Sequence, residues 1–153
     1  MVNAEQQNTA MMGEAMEDFY RRFKDDANVM DSWLSLQAAS PVHGTLESVK
    51  ALMQHGAYDA TSPNKLRSVV GGFASNMNQF HVEGGAGYEF LADILIEMDR
   101  KNPQIASRLA TPLTRWRKFE PVSSALMKKA LERVKSTPDL SSDVYEVVTK
   151  SLT

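Results

Sequence analysis

The chain lacks several features that would each assign it to a class of protein. It has no cysteine, which excludes disulfide bonds and thiolate metal sites. No apolar run approaches the ~20 residues of a membrane-spanning helix. The first residues lack the basic segment and apolar run of a secretory signal. Excess charge is also absent, since 17 basic residues face 19 acidic ones, and the net charge of -2 exerts no long-range attraction on nucleic acid or anionic lipid.

What is present has the composition of an ordinary soluble protein. Hydrophobic residues make up 42% of the chain and charged residues 24%, which indicates neither disorder nor a membrane protein. A chain of 153 residues has the size of one domain. We therefore expect a single domain over residues 1–153 that binds neither nucleic acid nor membrane. The lack of cysteine fits a reducing compartment, so the expected location is the cytoplasm.

Apolar residues recur at helical spacing along almost the whole chain, which predicts a series of amphipathic helices. No segment alternates as a strand would. In chain order, the predicted inward-facing residues are Met12, Met16, Phe19, Tyr20 and Phe23; Met30, Trp33, Leu34 and Gln37; Leu46, Val49, Leu52 and Met53; Leu66, Val69, Val70 and Phe73; Phe90, Leu91, Ile94, Leu95 and Met98; Ile105, Leu109 and Leu113; Val122, Leu126, Leu131 and Val134; and Val144, Tyr145, Val148 and Leu152.

Helix-capping and helix-breaking residues separate these groups of apolar residues. Ser62-Pro63 and Asn102-Pro103 each combine an N-cap with a proline at the first helical position, and Ser141 or Ser142 caps the last helix. The breaks fall near Pro41, Gly56, residues 83–87 and Thr137-Pro138. About eight helices with short links result, and no clean tetratricopeptide, ankyrin or leucine-rich repeat is present. The predicted fold is all-α, with antiparallel helical hairpins stacked as an irregular HEAT/armadillo-like superhelix.

The histidines do not form a metal-binding motif. A catalytic zinc needs three closely placed imidazoles or carboxylates and an open fourth position. His43, His55 and His81 include no pair at i, i+4, and each lies beside a helix end or in a linker. Surface or capping roles are therefore expected for all three.

Other segments that suggest chemistry have simpler explanations. GGAGYEF has neither the preceding strand of a dinucleotide loop nor the Lys-Ser/Thr of a P-loop, so we expect a backbone turn that lets a helix begin close to its neighbour. In the basic segment 115–118, Trp116 is expected to anchor adjacent helices rather than to stack on nucleic acid. Glu89 and Asp93 would share a proton only if buried, and an exposed helix face is expected instead.

Several of these segments together resemble a known protein family. Residues 64–121 carry PNKLR, GGFASN, QFHVEGGAGYEF and NPQIASRLATPLTRWRKFEP, and the similarity extends from DSWLSLQAASP to SSDVYEVVTKSL. These residues resemble the far C-terminal helical domain of the bacterial aminopeptidase N family, the zinc gluzincins that trim N-terminal residues from peptides. The stretch 73–80 departs from the family form, because it is about one residue shorter.

The resemblance implies a part without chemistry of its own. The family's zinc site uses an H-E-x-x-H helix, a further Glu and a G-x-M-E-N-type strand, and none of these occurs here. By resemblance, the domain is an α-helical superhelix that curls over a catalytic domain and closes its chamber. Zinc would belong to the parent enzyme, with no cofactor in this chain. The implied partners are the other domains of the same polypeptide and the peptide substrate.

Arg67 and Arg108 are the candidate site residues. Each follows a proline-started helix, and arginines at these motif positions in the family project toward the closed chamber. By resemblance, both would face the substrate, where a guanidinium fork suits a peptide carboxylate. From the residues alone, a salt bridge to an acidic residue on the next helix is the alternative.

The predicted function is that of a non-catalytic domain that caps the chamber of a zinc aminopeptidase and controls the access of peptides. The alternative is a free-standing helical-repeat scaffold that binds a protein or peptide partner. The two functions are distinguished by whether a catalytic segment with H-E-x-x-H precedes this one in the natural polypeptide.

Overall fold

The structure, a computed structural model, describes residues 4–40, 45–56, 58–59, 62–81 and 84–153, with their side chains except at positions 4–12 and 78. Every regular element in these ranges is a helix, which confirms the all-α prediction. Predictions that concern Pro41, His43, Glu83 and the side chain of Met12 fall outside the described residues. The prediction of a single domain over residues 1–153 stays a prediction.

The first part of the chain forms helices α1 to α6. Here the predicted fourth helix is continuous but has three segments, since a π-helical segment interrupts its α-helical geometry. The bounds are α1 Ala4–Phe23, α2 Ala27–Ala38, α3 Thr45–Leu52, α4 Pro63–Leu66, the π-helical segment Arg67–Gly71, α5 Gly72–Ala74 and α6 Met77–Phe80.

The second part begins after a glycine turn and contains the longest buried helix. Helix α7 packs on α6, α8 and α10, and α8 in turn contacts the π-helical segment. The bounds are α7 Ala86–Lys101, α8 Pro103–Leu109, α9 Thr111–Thr114, a 3₁₀ turn Trp116–Lys118, α10 Pro121–Lys135 and α11 Ser142–Leu152. Consecutive helices such as α1 and α2, α7 and α8, and α10 and α11 contact each other, as predicted for hairpins.

One cluster of buried apolar residues extends from Met30 on α2 to Val148 on α11. Most of the predicted inward-facing residues belong to this cluster or pack against it. Four do not follow the prediction, because Phe19, Phe23, Val122 and Tyr145 are exposed. Val122 lies in the first turn of α10, where its backbone N–H donates to Glu120 and its side chain points outward.

Local caps begin the helices where the sequence predicts them. Ser62, Asn102 and Ser141 each accept a hydrogen bond from the backbone N–H three residues ahead. Ser141 is itself held by the buried Asp99, whose carboxylate accepts from the Ser141 hydroxyl and, at 2.9 Å, from its backbone N–H. Asn76 caps α6 and also donates to the Ser40 carbonyl at 2.6 Å, so it joins the end of α2 to α6.

Glu120 caps α10, and the stability that it contributes should depend on pH. Hydrogen bonds from the Ser123 hydroxyl and from the backbone N–H groups of Ser123 and Val122 hold its pKa below the ordinary value of 4.5. A carboxylate whose pKa is lower in the folded state stabilises the fold at pH values above its unfolded pKa. This stabilisation is lost as pH falls through the folded pKa. We therefore expect Glu120→Gln to destabilise the chain at neutral pH and the difference from the wild type to shrink in acid.

Urea unfolding at several pH values measures this difference. Glu132→Gln is the control, because Glu132 is an exposed residue in the interior of the same helix. A Glu120→Gln deficit that stayed constant as pH fell below 4.5 would contradict the capping explanation.

Candidate functional site

The two candidate arginines lie on elements that begin in the same way. Ser62 and Pro63 start α4, and Asn102 and Pro103 start α8, in each case with a capped first turn and a proline whose missing N–H costs nothing there. Arg67 is the first residue of the π-helical segment that continues α4, and Arg108 lies in the last turn of α8.

Arg67 begins the π-helical segment, although its own φ of -64° and ψ of -37° are those of an ordinary α-helix. Insertions of π-helical geometry inside a helix are rare and occur frequently at functional sites. Here the segment ends in Gly71 and continues into Gly72, where an added Cβ would lie 3.3 Å from the Cβ of Ala38. The close approach to α2 that glycine allows therefore coincides with the change in helical geometry.

Among the residues that the structure describes, Arg67 makes only local contacts. Its Nε donates to the Pro63 carbonyl at 3.3 Å, and a terminal nitrogen donates to Oδ1 of Asn64 at 2.8 Å. The side chain is exposed and forms no ion pair with any residue that the structure describes. The guanidinium therefore keeps its charge and several donors available for a ligand.

The ion pair between helices in this motif is made by a neighbour. Nζ of Lys65 lies 2.6 Å from Oδ1 of Asp31 on α2 and also donates to the Ala27 carbonyl at 3.2 Å. Only 14% of the Lys65 side chain and 23% of the Asp31 side chain are exposed, so water screens this pair less than a surface pair. Lys65 thus holds α4 on α2, and Arg67 takes no part in this ion pair.

Arg108 is exposed, and within the described part of the chain its side chain has neither a hydrogen bond nor an ion pair. Its place in the last turn of α8 is favourable, because a cation there offsets the partial negative charge at the helix end. The salt-bridge alternative is therefore absent for both arginines among the described residues.

The π-helical segment and α8 pack against each other, so Arg67 and Arg108 lie on adjoining elements. Two exposed guanidinium groups on neighbouring elements can bind a carboxylate or a carbonyl oxygen through charge-assisted hydrogen bonds. They offer no nucleophile or general base. The chemistry that this site supports is binding and orientation.

The histidines that the structure describes have packing roles. The ring of His55 lies 4.5 Å from that of Tyr20, and its Nε2 is 3.2 Å from Glu17. His81 lies within 2.6 Å of the Tyr88 hydroxyl and stacks on Phe119, and burial lowers the pKa of His81. In the described ranges, no three His, Asp or Glu side chains lie together in a way that could hold a metal ion.

The glycine-rich run is a turn, as predicted. Gly84 and Gly85 have φ values of 92° and 77°, which favour glycine, and Gly85 directly precedes α7. A Cβ on Gly87 would lie 2.3 Å from the Phe80 carbonyl oxygen, so this glycine allows α7 to begin against the end of α6.

The basic segment and the carboxylate pair are structural. Nε1 of Trp116 and a guanidinium nitrogen of Arg117 both donate to the Ser151 carbonyl, at 3.2 Å and 2.7 Å, and so hold the end of α11. Arg133 on α10 forms ion pairs with Glu89 and Asp93 on α7, each at 2.8 Å.

No described helix is long and apolar enough to cross a membrane.

Comparison with known proteins places this arrangement in a family. A family model described as a domain of unknown function, DUF3458_C, with ARM repeats matches residues 1–153. The chain belongs to the DUF3458_C family of ARM-repeat domains. This DUF3458_C domain is 43% identical to aminopeptidase N of Haemophilus influenzae and 41% identical to aminopeptidase N of Escherichia coli, each over 138 residues.

The DUF3458_C domain covers only a small share of these relatives. Each alignment includes 90% of the domain but 16% of the aminopeptidase. The crystal structure of Legionella pneumophila aminopeptidase A in complex with aspartic acid matches 95% of the domain with a TM-score of 0.90 and 34% identity, and 17% of that chain is covered. The predicted resemblance to aminopeptidase N and the predicted armadillo-like fold are therefore confirmed.

Two features of the site were not predicted from the spacing of apolar residues. The π-helical segment had a visible signal, because paired glycines inside a helical pattern indicate a departure from regular geometry. The Lys65–Asp31 ion pair had no signal in the sequence, since the two residues are 34 positions apart in the chain.

Proposed function

We propose that this DUF3458_C domain is the non-catalytic C-terminal domain of an aminopeptidase N-like zinc enzyme. It packs on the catalytic domain, forms a wall of the chamber and controls the access of peptides, whose N-terminal residues the parent releases. The observation that supports this most strongly is the 43% identity with an aminopeptidase of which the domain represents only 16%. The remaining part of such a polypeptide would supply the chemistry.

In this proposal, zinc lies entirely outside the domain. The described residues do not fit the metal, because no cluster of His, Asp or Glu among them could bind it. A catalytic zinc needs three protein ligands and an open position. The domain's own contribution is therefore limited to shape and charge.

Arg67 and Arg108 would supply that charge inside the chamber. Both are exposed and form no ion pair with described residues, although the domain places other cations, such as Lys65 and Arg133, in ion pairs between helices. A peptide longer than one residue extends away from the zinc and ends in a carboxylate. A guanidinium can bind that carboxylate in a bidentate way.

Removal of either charge should therefore affect peptides selectively. In the full-length enzyme, we expect Arg67→Gln or Arg108→Gln to lower kcat/KM for a short peptide about tenfold, which corresponds to the loss of about 1.4 kcal/mol of binding energy. Hydrolysis of a single-residue chromogenic substrate should change much less, because that substrate does not reach the arginines. Steady-state kinetics with both substrates measures the difference.

Arg21→Gln is the matched control, because Arg21 is an exposed arginine on α1. It should leave both substrates unaffected. If the Arg67 and Arg108 variants lowered hydrolysis of the peptide and of the chromogenic substrate equally, the arginines would not face the substrate.

A further inference from the structure

The guanidinium of Arg67 is oriented by two acceptors from the preceding turn of its own helix. Its Nε donates to the Pro63 carbonyl at 3.3 Å, and its Nη2 donates to Oδ1 of Asn64 at 2.8 Å. Asn64 precedes Arg67 by three residues, the spacing at which side chains on one helix face meet. The side chain of Arg67 is exposed, but these two bonds give it a preferred orientation.

Both of these acceptors are uncharged. An amide oxygen or a backbone carbonyl accepts a hydrogen bond without cancelling the charge of a guanidinium, whereas a carboxylate cancels it. The cations that join helices in this domain are paired with carboxylates, as Lys65 is with Asp31 and Arg133 is with Glu89. Within the described part of the chain, Arg67 is therefore held in place while it keeps its full positive charge.

The two bonds leave one edge of the guanidinium available. Of its five N–H groups, one on Nε and one on Nη2 are used, so one on Nη2 and both on Nη1 remain. Nε and Nη2 share one edge of the planar group, and Nη1 and Nη2 share the next. A carboxylate binds such an edge through two parallel hydrogen bonds.

We propose that Asn64 is a positioning residue, which holds Arg67 with its Nη1–Nη2 edge available to the C-terminal carboxylate of a peptide. The identity of this ligand rests on the proposed function. A long side chain loses rotamer freedom when it binds a ligand, and a side chain that is already ordered loses less. Asn64 therefore favours peptides that end in a free carboxylate over the corresponding peptide amides.

Crystal structures of the full-length polypeptide, with and without Asn64→Ala, measure the orientation of Arg67. We expect one guanidinium conformation in the wild type and the loss of that single conformation in the variant. Alanine has a higher helix propensity than asparagine, so α4 should persist. Ser68→Ala is the matched control, because the Ser68 hydroxyl donates to the backbone carbonyl of Asn64 and not to its side chain. It should leave Arg67 as it is.

Kinetics of the full-length enzyme measure the recognition of the carboxylate. The quantity is the ratio of kcat/KM for a short peptide to kcat/KM for its C-terminal amide. We expect Asn64→Ala to lower this ratio about threefold, in keeping with the modest cost of ordering one side chain. In an Arg67→Gln background, the same replacement should cause no further fall, because Asn64 acts only through Arg67.

Three outcomes would overturn the inference: a guanidinium that keeps its single conformation in Asn64→Ala, a ratio that Arg67→Gln lowers and Asn64→Ala does not, or an equal fall with and without Arg67. The structural readout does not require peptidase activity. If Arg67→Gln left peptide hydrolysis unchanged while Asn64→Ala released the guanidinium, the proposed contact between Arg67 and the peptide would be contradicted. The positioning of Arg67 by Asn64 would stand.

Discussion

Replacement of Phe73 by alanine is expected to lower the free energy of unfolding by about 3–5 kcal/mol, the usual cost of removing a buried aromatic ring. Phe73 on α5 is 1% exposed, and its ring contacts those of Phe80 and Phe90 edge to face, with centroids 5.9 Å and 5.6 Å away. The ring thus joins α5 to both α6 and α7. Its removal leaves a cavity that these helices fill only in part.

Loss of this ring should also loosen the segment that carries Arg67. The π-helical segment lies directly before α5, and both pack on α2. We expect the Phe73→Ala replacement to increase the rate of hydrogen exchange more in residues 67–74 than elsewhere in the chain. Urea unfolding, followed by the fluorescence of Trp33 and Trp116, measures the global effect.

Phe23→Ala is the matched control for Phe73→Ala. Phe23 is 42% exposed and contacts Phe19 on the same helix, with centroids 4.6 Å apart. Its replacement should cost less than about 1 kcal/mol, as is usual for surface positions. Equal costs for the two phenylalanines would mean that the aromatic contacts of Phe73 do not stabilise the junction of α5, α6 and α7.

The helices were predictable because their signals are local. Ser62 and Asn102 cap helices through bonds to backbone groups three residues ahead, and a cap followed by proline can be recognised within four residues of sequence. Periodicity gave the buried face of α7 for the same reason. It failed for Val122, which lies in the first turn of α10 and is exposed, because apolar spacing does not show which residues a neighbouring helix covers.

Contacts between distant residues could not be predicted in this way. Asp99 holds Ser141 from 42 residues away, and Lys65 pairs with Asp31 across 34 residues. Each of these acidic residues has many possible basic or polar partners until the helices are packed. The same limit applies to the candidate site, since only the family resemblance singled out Arg67 and Arg108. Only the structure shows that these two arginines form no ion pair with the described residues.

The second large effect is expected where the glycine-rich turn meets the core. Gly87→Ala should lower the free energy of unfolding by about 2–3 kcal/mol, in the range of overpacked interiors. The added Cβ would lie 2.3 Å from the Phe80 carbonyl oxygen and 3.1 Å from its Cα. Because the obstacle is backbone rather than a flexible side chain, α6 and α7 must move apart. The gain in helix propensity from alanine, about 1 kcal/mol, does not offset that movement.

Gly71→Ala separates this steric cost from the general effect of losing a glycine. Gly71 has an ordinary helical φ of -65°, and an added Cβ there would meet nothing within 4 Å. Its replacement should leave stability unchanged or raise it by up to about 1 kcal/mol, because alanine loses less backbone entropy on folding. Urea unfolding of both variants gives the comparison. If Gly87→Ala proved as harmless as Gly71→Ala, α7 would not begin in close contact with α6, and the packing of that junction would have to be revised.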